Sequence, residues 1–160
     1  MTVHTLFSNG TFEPRMFVER EPVLVFLTND AVNSWMCVDI GANRRLQINH
    51  YYLRHSQALG YHRCVLRSWV LEGSNTATTP AAQADPANWT VLREHAGHAS
   101  LREVAGADAA WPVVVGAGDD GYYRFFRIRI TGPNSSGHHF LIVNGLEMYG
   151  RLRSLVPEVW

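Results

Sequence analysis

The 160 residues are 46% hydrophobic and 18% charged, the balance of one globular domain with a sizeable core, which excludes a disordered or fibrous chain. Fourteen cationic and fourteen acidic side chains cancel, so the chain lacks the positive field of a general nucleic-acid or anionic-membrane binder. Its apolar runs, such as Pro22-Val23-Leu24-Val25-Phe26-Leu27, are strand-sized and far below the ~20 residues that cross a bilayer.

Taken in chain order, short apolar or alternating runs recur between turn residues, and amphipathic helical periodicity is nearly absent. The first run covers residues 23–27, before a polar break at Thr28-Asn29-Asp30. In residues 35–40, Met36, Val38 and Ile40 point one way and Cys37 and Asp39 the other. Gly41-Ala42-Asn43 turns the chain into a strand over 46–54, and further strands follow at 69–74, 89–93, 123–130 and 140–149. Strict alternation in Phe126-Arg127-Ile128-Arg129-Ile130 predicts a half-buried strand with both arginines on its wet or partner-facing side. The Ala/Thr/Pro-rich stretch 76–87 reads as a mobile surface loop, and 116–121 and 132–137 as flexible, turn-forming links. Many short strands without helices between them predict a closed barrel or a two-sheet sandwich. The expected domain is 1–152, with a tail over 153–160.

All fourteen cationic side chains are Arg, and Lys is absent. GC-rich codon usage explains this, and so does selection for a domain without side-chain acceptors for ubiquitin. Two cysteines, Cys37 and Cys64, suit a reduced compartment better than a disulfide framework. The start, Met1-Thr2-Val3-His4, lacks the basic and apolar parts of a secretory signal. Sequons at Asn9, Asn88 and Asn134 point the other way, and the balance favours an intracellular protein, cytoplasmic or nuclear.

Trp35-x-x-Val38-Asp39-Ile40-Gly41, then Trp69-Val70-Leu71-Glu72-Gly73-Ser74-Asn75, then Trp89-Thr90-Val91-Leu92 occur in this order. Tyr123-Arg124-x-Phe126-Arg127-Ile128 and Gly145-Leu146-Glu147-Met148-Tyr149-Gly150 complete the series, which resembles discoidin (coagulation factor type C, galactose-binding-like) domains over residues 20–150. Tyr51-Tyr52-Leu53-Arg54-His55, Leu66-Arg67-Ser68-Trp69 and the stretch 131–139 are similar to the intracellular versions within HECT-type E3 ubiquitin ligases and BTB-domain adaptor proteins. The resemblance implies an all-β, galactose-binding-like jelly-roll β-sandwich. Asp39 is suited to accept turn N–H bonds near Gly41, and Trp35, Trp69 and Trp89 to fill the space between sheets about 10 Å apart.

Eight histidines raise the question of zinc. Adjacent His138 and His139 would face opposite ways on a strand, as would His50 and His55, and two cysteines form no zinc signature. Neither Ser56 with His55 nor Ser135 and Ser136 with His138 is accompanied by a nucleophile elbow. Gly116-x-Gly118-x-x-Gly121 precedes a strand instead of a helix, unlike a dinucleotide site. No cofactor, metal or catalytic activity is therefore expected. By the resemblance, ligands meet the loops at one end of the sandwich: residues 9–15, residues 56–63 and residues 133–139. The ligand-binding candidates are Ser56, Tyr61, His62, Arg63, Asn134, Ser135, Ser136, His138 and His139. This mixture suits a protein or peptide ligand recruited to a ubiquitin-ligase or adaptor assembly; the alternative is a carbohydrate-binding module.

Overall fold

Side-chain alternation along two strands sets the architecture. In β2 (Trp35–Asp39), Met36 and Val38 enter the main core, whereas Trp35 and Cys37 join a smaller cluster with Ala77, Trp89 and Phe125. In β8 (Phe125–Ile130), Phe126, Ile128 and Ile130 enter the main core, leaving Phe125, Arg127 and Arg129 on the opposite face. One sheet thus buries both faces, the inner against a second sheet and the outer beneath a covering segment. The computed structural model describes residues 2–5, 18, 27–57 and 60–156.

The first sheet has the antiparallel order β1-β2-β8-β4-β5, with β1 at Thr2–Thr5, β4 at Trp69–Ser74 and β5 at Thr90–His95. In the second, β9 (Val143–Ser154) runs along one edge of β3 (Arg44–His55), and β6 (Asp108–Pro112) and β7 (Tyr122–Tyr123) pair with successive stretches of the other. Between the sheets pack Tyr51, Leu53, Leu66, Trp69, Leu71, Trp111, Phe126 and Leu146. The expected all-β jelly-roll sandwich is what the chain forms.

The β3–β9 register shifts between Ile48 and His50. Gly150 lies at that irregularity, where a Cβ would stand 1.9 Å from the Gln47 carbonyl oxygen, so only glycine fits the close approach. Gly41, at φ +106°, follows β2 and donates its N–H to Asp39 Oδ1 at 2.8 Å, the turn bond expected of Asp39. Arg124 closes a two-pronged pair on the same carboxylate at 2.7 and 2.6 Å, tying β2 to the β7–β8 junction.

Three expectations are corrected. Residues 76–87 form no mobile loop: Thr79 caps helix α1 (Pro80–Ala84), Asp85 caps a 3-10 turn at Pro86–Asn88, and Ala77, Gln83 and Trp89 are buried against the outer sheet face. Because that segment covers the face, Arg127 is not on a wet side but 1% exposed, although it does alternate with the core residues as predicted. For the same reason Trp35 and Trp89 lie outside the sheet pair, and Trp69 alone of the three fills the space between the sheets. The expected strand over 23–27 lies outside the described residues except for Leu27, which packs against Cys64, Phe140 and Ile142. Strand β9 continues to Ser154 in register with Arg44; residues 157–160 of the expected tail also lie outside the described residues.

Cys37 and Cys64 are free and buried. Burial pushes the Cys37 thiol up to about 12, so it holds its proton at neutral pH. The native domain is expected to react slowly with an exposed-thiol reagent and the denatured chain to yield two free thiols; finding none after denaturation would refute the reduced state.

Candidate functional site

Antiparallel connectivity gathers four connections at one end of the sandwich, those around residues 27–34, 56–68, 96–107 and 131–142. Backbone and hydroxyl bonds clamp them together. Thr28 and Leu141 bond each other twice, N–H to carbonyl at 3.1 Å and Leu141 N–H to Thr28 Oγ1 at 2.9 Å. Val65 and Ser135 do likewise at 2.9 and 3.0 Å, and Gly106 N–H donates to the Ser56 carbonyl at 3.1 Å.

Within this end the candidate residues divide by role. Asn134 is buried and organises the 134–140 turn: its Oδ1 accepts from the N–H groups of Ser136 and His138, both at 3.1 Å, and its own N–H donates to the His138 carbonyl at 2.7 Å. These bonds place the Asn134 sequon amide in structural use, and Asn88 Nδ2 likewise donates to the Ala82 carbonyl at 3.1 Å; Asn9 lies outside the described residues. Ser135 Oγ donates to the Arg63 carbonyl, and Ser136 Oγ lies 2.9 Å from Cys64 Sγ. Ser56 is buried. Tyr61, His62 and His139 are half-buried, and Arg63 and His138 are exposed.

His138 and His139 lie in the connection before β9, not on a strand. His138 Nδ1 is 2.7 Å from Asp30 Oδ2 while its ring stacks on Phe140 at 5.1 Å, and His139 N–H donates to Asp30 Oδ1 at 2.6 Å. These bonds hold the Asp30 carboxyl below its usual range. Asp30 thus positions two candidates; its sequence signal was the polar Thr28-Asn29-Asp30 break before a strand. The Tyr61 ring meets Phe140 edge-on at 6.4 Å. Both Ser–His pairings considered from sequence resolve into scaffold bonds. Buried His55 donates from Nε2 to the Tyr61 carbonyl at 2.8 Å, and the Ser135 and Ser136 hydroxyls reach the Arg63 carbonyl. Residues 9–15, the third expected ligand loop, lie outside the described residues, as do 58 and 59.

Beneath the 96–107 connection sits an aromatic cluster that the sequence reading missed. Trp69 Nε1 donates to the Tyr51 hydroxyl at 3.0 Å, and that hydroxyl shares a second hydrogen bond with His95 Nε2 at 2.7 Å. His95 stacks on Trp69 at 4.1 Å and meets His98 and Trp111 edge-on at 4.9 Å. Its Nδ1 is buried with no hydrogen-bond partner among the described residues. Burial, aided by His98 and Arg93, pulls its pKa down to about 4. Among the described residues no three His, Cys, Asp or Glu side chains are grouped to hold a metal ion, and no helix is long and apolar enough to cross a membrane.

The sheet order and loop end define a discoidin-like, galactose-binding-like β-sandwich. Solved structures with this architecture include the CBM62 module of Clostridium thermocellum Xyl5A, at TM-score 0.63 and 17% identity over 93% of each chain. Another is the Clostridium perfringens module CpGH89CBM32-5 in complex with GalNAc-β-1,3-galactose, at TM-score 0.65 and 8% identity over 93% of this chain and 94% of that one. At these identities the likeness is one of fold.

Sequence similarity narrows the class. The chain is 35% identical over 133 residues to the Drosophila melanogaster E3 ubiquitin-protein ligase Ufd4 and 36% identical over 134 residues to the Caenorhabditis elegans E3 ubiquitin-protein ligase hecd-1, in each case over 82% of this chain and 4% of the ligase. It is 33% identical over 125 residues to a BTB/POZ domain-containing protein of Arabidopsis thaliana, over 76% of this chain and 14% of that protein. No protein-family model matches. The chain is therefore a discoidin-like domain related to segments of ubiquitin ligases and of a BTB protein, as the sequence resemblance implied, and it spans a small part of those relatives' length.

Proposed function

We propose that the domain is a non-catalytic recognition module, acting inside the cell, whose loop end binds a polar segment of a protein partner and brings it to a larger ubiquitin-ligase or adaptor protein. The observation that carries this reading is the division of labour at the loop end. Asn134, Ser135 and Ser136 are engaged in clamping the loops, while Tyr61, His62, Arg63, His138 and His139 reach the surface of that rigid frame. One aromatic with imidazoles and a guanidinium suits an oriented peptide, where a few aromatic and Arg anchors dominate binding. The relatives' names supply the ligase context. The lack of Lys fits it too, since a recruiting module sits near the transfer centre at high effective concentration and offers no side-chain amine.

Carbohydrate binding is the second reading, favoured by fold neighbours solved in complex with sugars, the lectin domain of lectinolysin with Lewis B antigen among them. Against it, Tyr61 is half-buried, packed against the Cys64, Phe140 and Ile142 cluster, which reduces the ring area left for a sugar to stack on. Parallel screening of the domain on a displayed peptide library and a glycan array separates the two. Peptide ligands without glycan hits are expected; glycan hits alone would replace the first reading with the second.

A further inference from the structure

The outer face of the five-stranded sheet carries a charge cluster that reaches the 27–34 connection at Asn33. Glu72 on β4 lies between two arginines of β8. Its Oε2 accepts from Arg127 Nε at 2.7 Å and Arg129 Nε at 3.2 Å, and its Oε1 from Arg129 Nη2 at 2.9 Å. Arg127 Nη1 donates to the Gln83 carbonyl at 2.7 Å, and its guanidinium sits 4.2 Å over the Trp89 ring. Arg127 Nη2 stands 2.7 Å from Glu72 Oε2 yet makes no well-directed hydrogen bond. Arg129 Nη1 donates to Asn33 Oδ1 at 3.1 Å, from a residue held at φ +61°.

Two guanidinium groups thus share one carboxylate, leaving, among the described residues, one positive charge in excess in a largely dry place. The Arg127 and Glu72 side chains are 1% and 3% exposed, and that of Arg129 is 21% exposed. Beside the cluster opens a cavity of about 230 Å³ lined by Asn33, Trp35, Ala84, Pro86, Arg127 and Arg129. Three of the five Arg129 N–H hydrogens are committed, leaving one each on Nη1 and Nη2. A positive charge with spare donors beside apolar walls attracts an anion strongly, because the local dielectric is low and guanidinium geometry matches a carboxylate.

We propose that this cavity binds a carboxylate, the acidic side chain of a peptide segment laid across α1 and the edge of the 30–34 turn. The cavity is smaller than the ~300–1,000 Å³ of a site for a drug-sized ligand, so it accommodates a single side chain. Trp35 is 4% exposed and presents no open face for a sugar ring. The site shares Asn33 of the 27–34 connection with the loop end, but none of its lining residues belongs to the Tyr61–Arg63 or 133–139 segments that carry the loop-end reading.

The test is a titration of the ¹⁵N-labelled domain, following backbone amides and arginine Nε–Hε signals. N-acetyl-glutamate methylamide is the probe and N-acetyl-glutamine methylamide the neutral control, with glucuronate and inorganic phosphate in separate arms. The Arg129 Nε–Hε signal and the amides of residues 33–35, 84 and 85 are expected to shift with the glutamate probe and not with the glutamine one. Binding is expected to weaken at least tenfold in Arg129→Gln. The same loss is expected in Ala84→Trp, which changes an exposed helix residue, fills the cavity and leaves the charge cluster whole. Equal shifts with the neutral control, unchanged binding in Ala84→Trp, or shifts spread over other arginines would overturn the site. Stronger binding of glucuronate or phosphate than of the glutamate probe would overturn its assignment to a peptide acid.

Discussion

Replacing Glu72 with Gln is expected to destabilise the domain by about 3–5 kcal/mol, because it strands two guanidinium groups on a covered sheet face. For a domain of this size that is a fall of roughly 10 °C in Tm. The sheer number of bonds lost is not the reason. A guanidinium as buried as Arg127 has no water to fall back on, and desolvation already pulls its pKa below the ordinary arginine value while Glu72 pushes it back up. The control is the simultaneous change Glu72→Leu, Arg127→Met and Arg129→Leu, which removes all the charges and is expected to recover most of the loss. Thermal unfolding followed by circular dichroism reads both; a Tm for Glu72→Gln within a degree of the parent's would show that the cluster carries little stability.

Acid is expected to weaken the fold through His95. In the folded state burial lowers its pKa to about 4 from an ordinary value of 6.5, so the fold holds the neutral ring and the unfolded chain takes up the proton first. The resulting stability is complete above pH 6.5 and is lost as pH falls toward 4; the loss reaches about 3 kcal/mol at the lower end, at ~1.36 kcal/mol per pKa unit. Buried His55 is shifted in the same direction, by burial above all, and adds to the trend. Denaturant unfolding at a series of pH values from 7 to 4 should show this decline, and His95→Phe should flatten it even though the variant gives up the bond to Tyr51. An equally steep decline in His95→Phe would place the acid sensitivity elsewhere.

Most of the sandwich was legible because its strands announce themselves by period. Residues 69–74 match β4 at both ends, and the alternation at 35–40 assigned Met36 and Val38 to one face and Cys37 to the other, as observed. Strand β6 escaped because Asp108-Ala109-Ala110-Trp111-Pro112 has little β propensity and ends in proline, a residue tolerated there because β6 lies at a sheet edge. Alternation separates two faces but does not say whether the second is wet. The covering of Arg127 depends on a segment some forty residues upstream, whose Ala/Thr/Pro composition resembles that of a loop while its Thr79 and Asp85 caps build short helical turns.

The loop end shows the same limit. Turn formers at 132–137 marked a turn, and Asn134 does organise it. Asp30, however, joins His138 and His139 only through pairing across more than a hundred residues, and His95 meets Tyr51 across 44. Such partners are set by sheet register and have no local signature.

Recognition at the loop end can be checked by a single binding measurement. With a ligand selected by the domain, affinity should fall at least tenfold on changing Tyr61 and His139 together to Ala. The melting temperature should stay close to the parent's, since both residues are half-buried on connections outside the sheets. Unchanged affinity in that double variant, alongside loss of binding in Arg129→Gln, would contradict the account and move recognition to the outer sheet face.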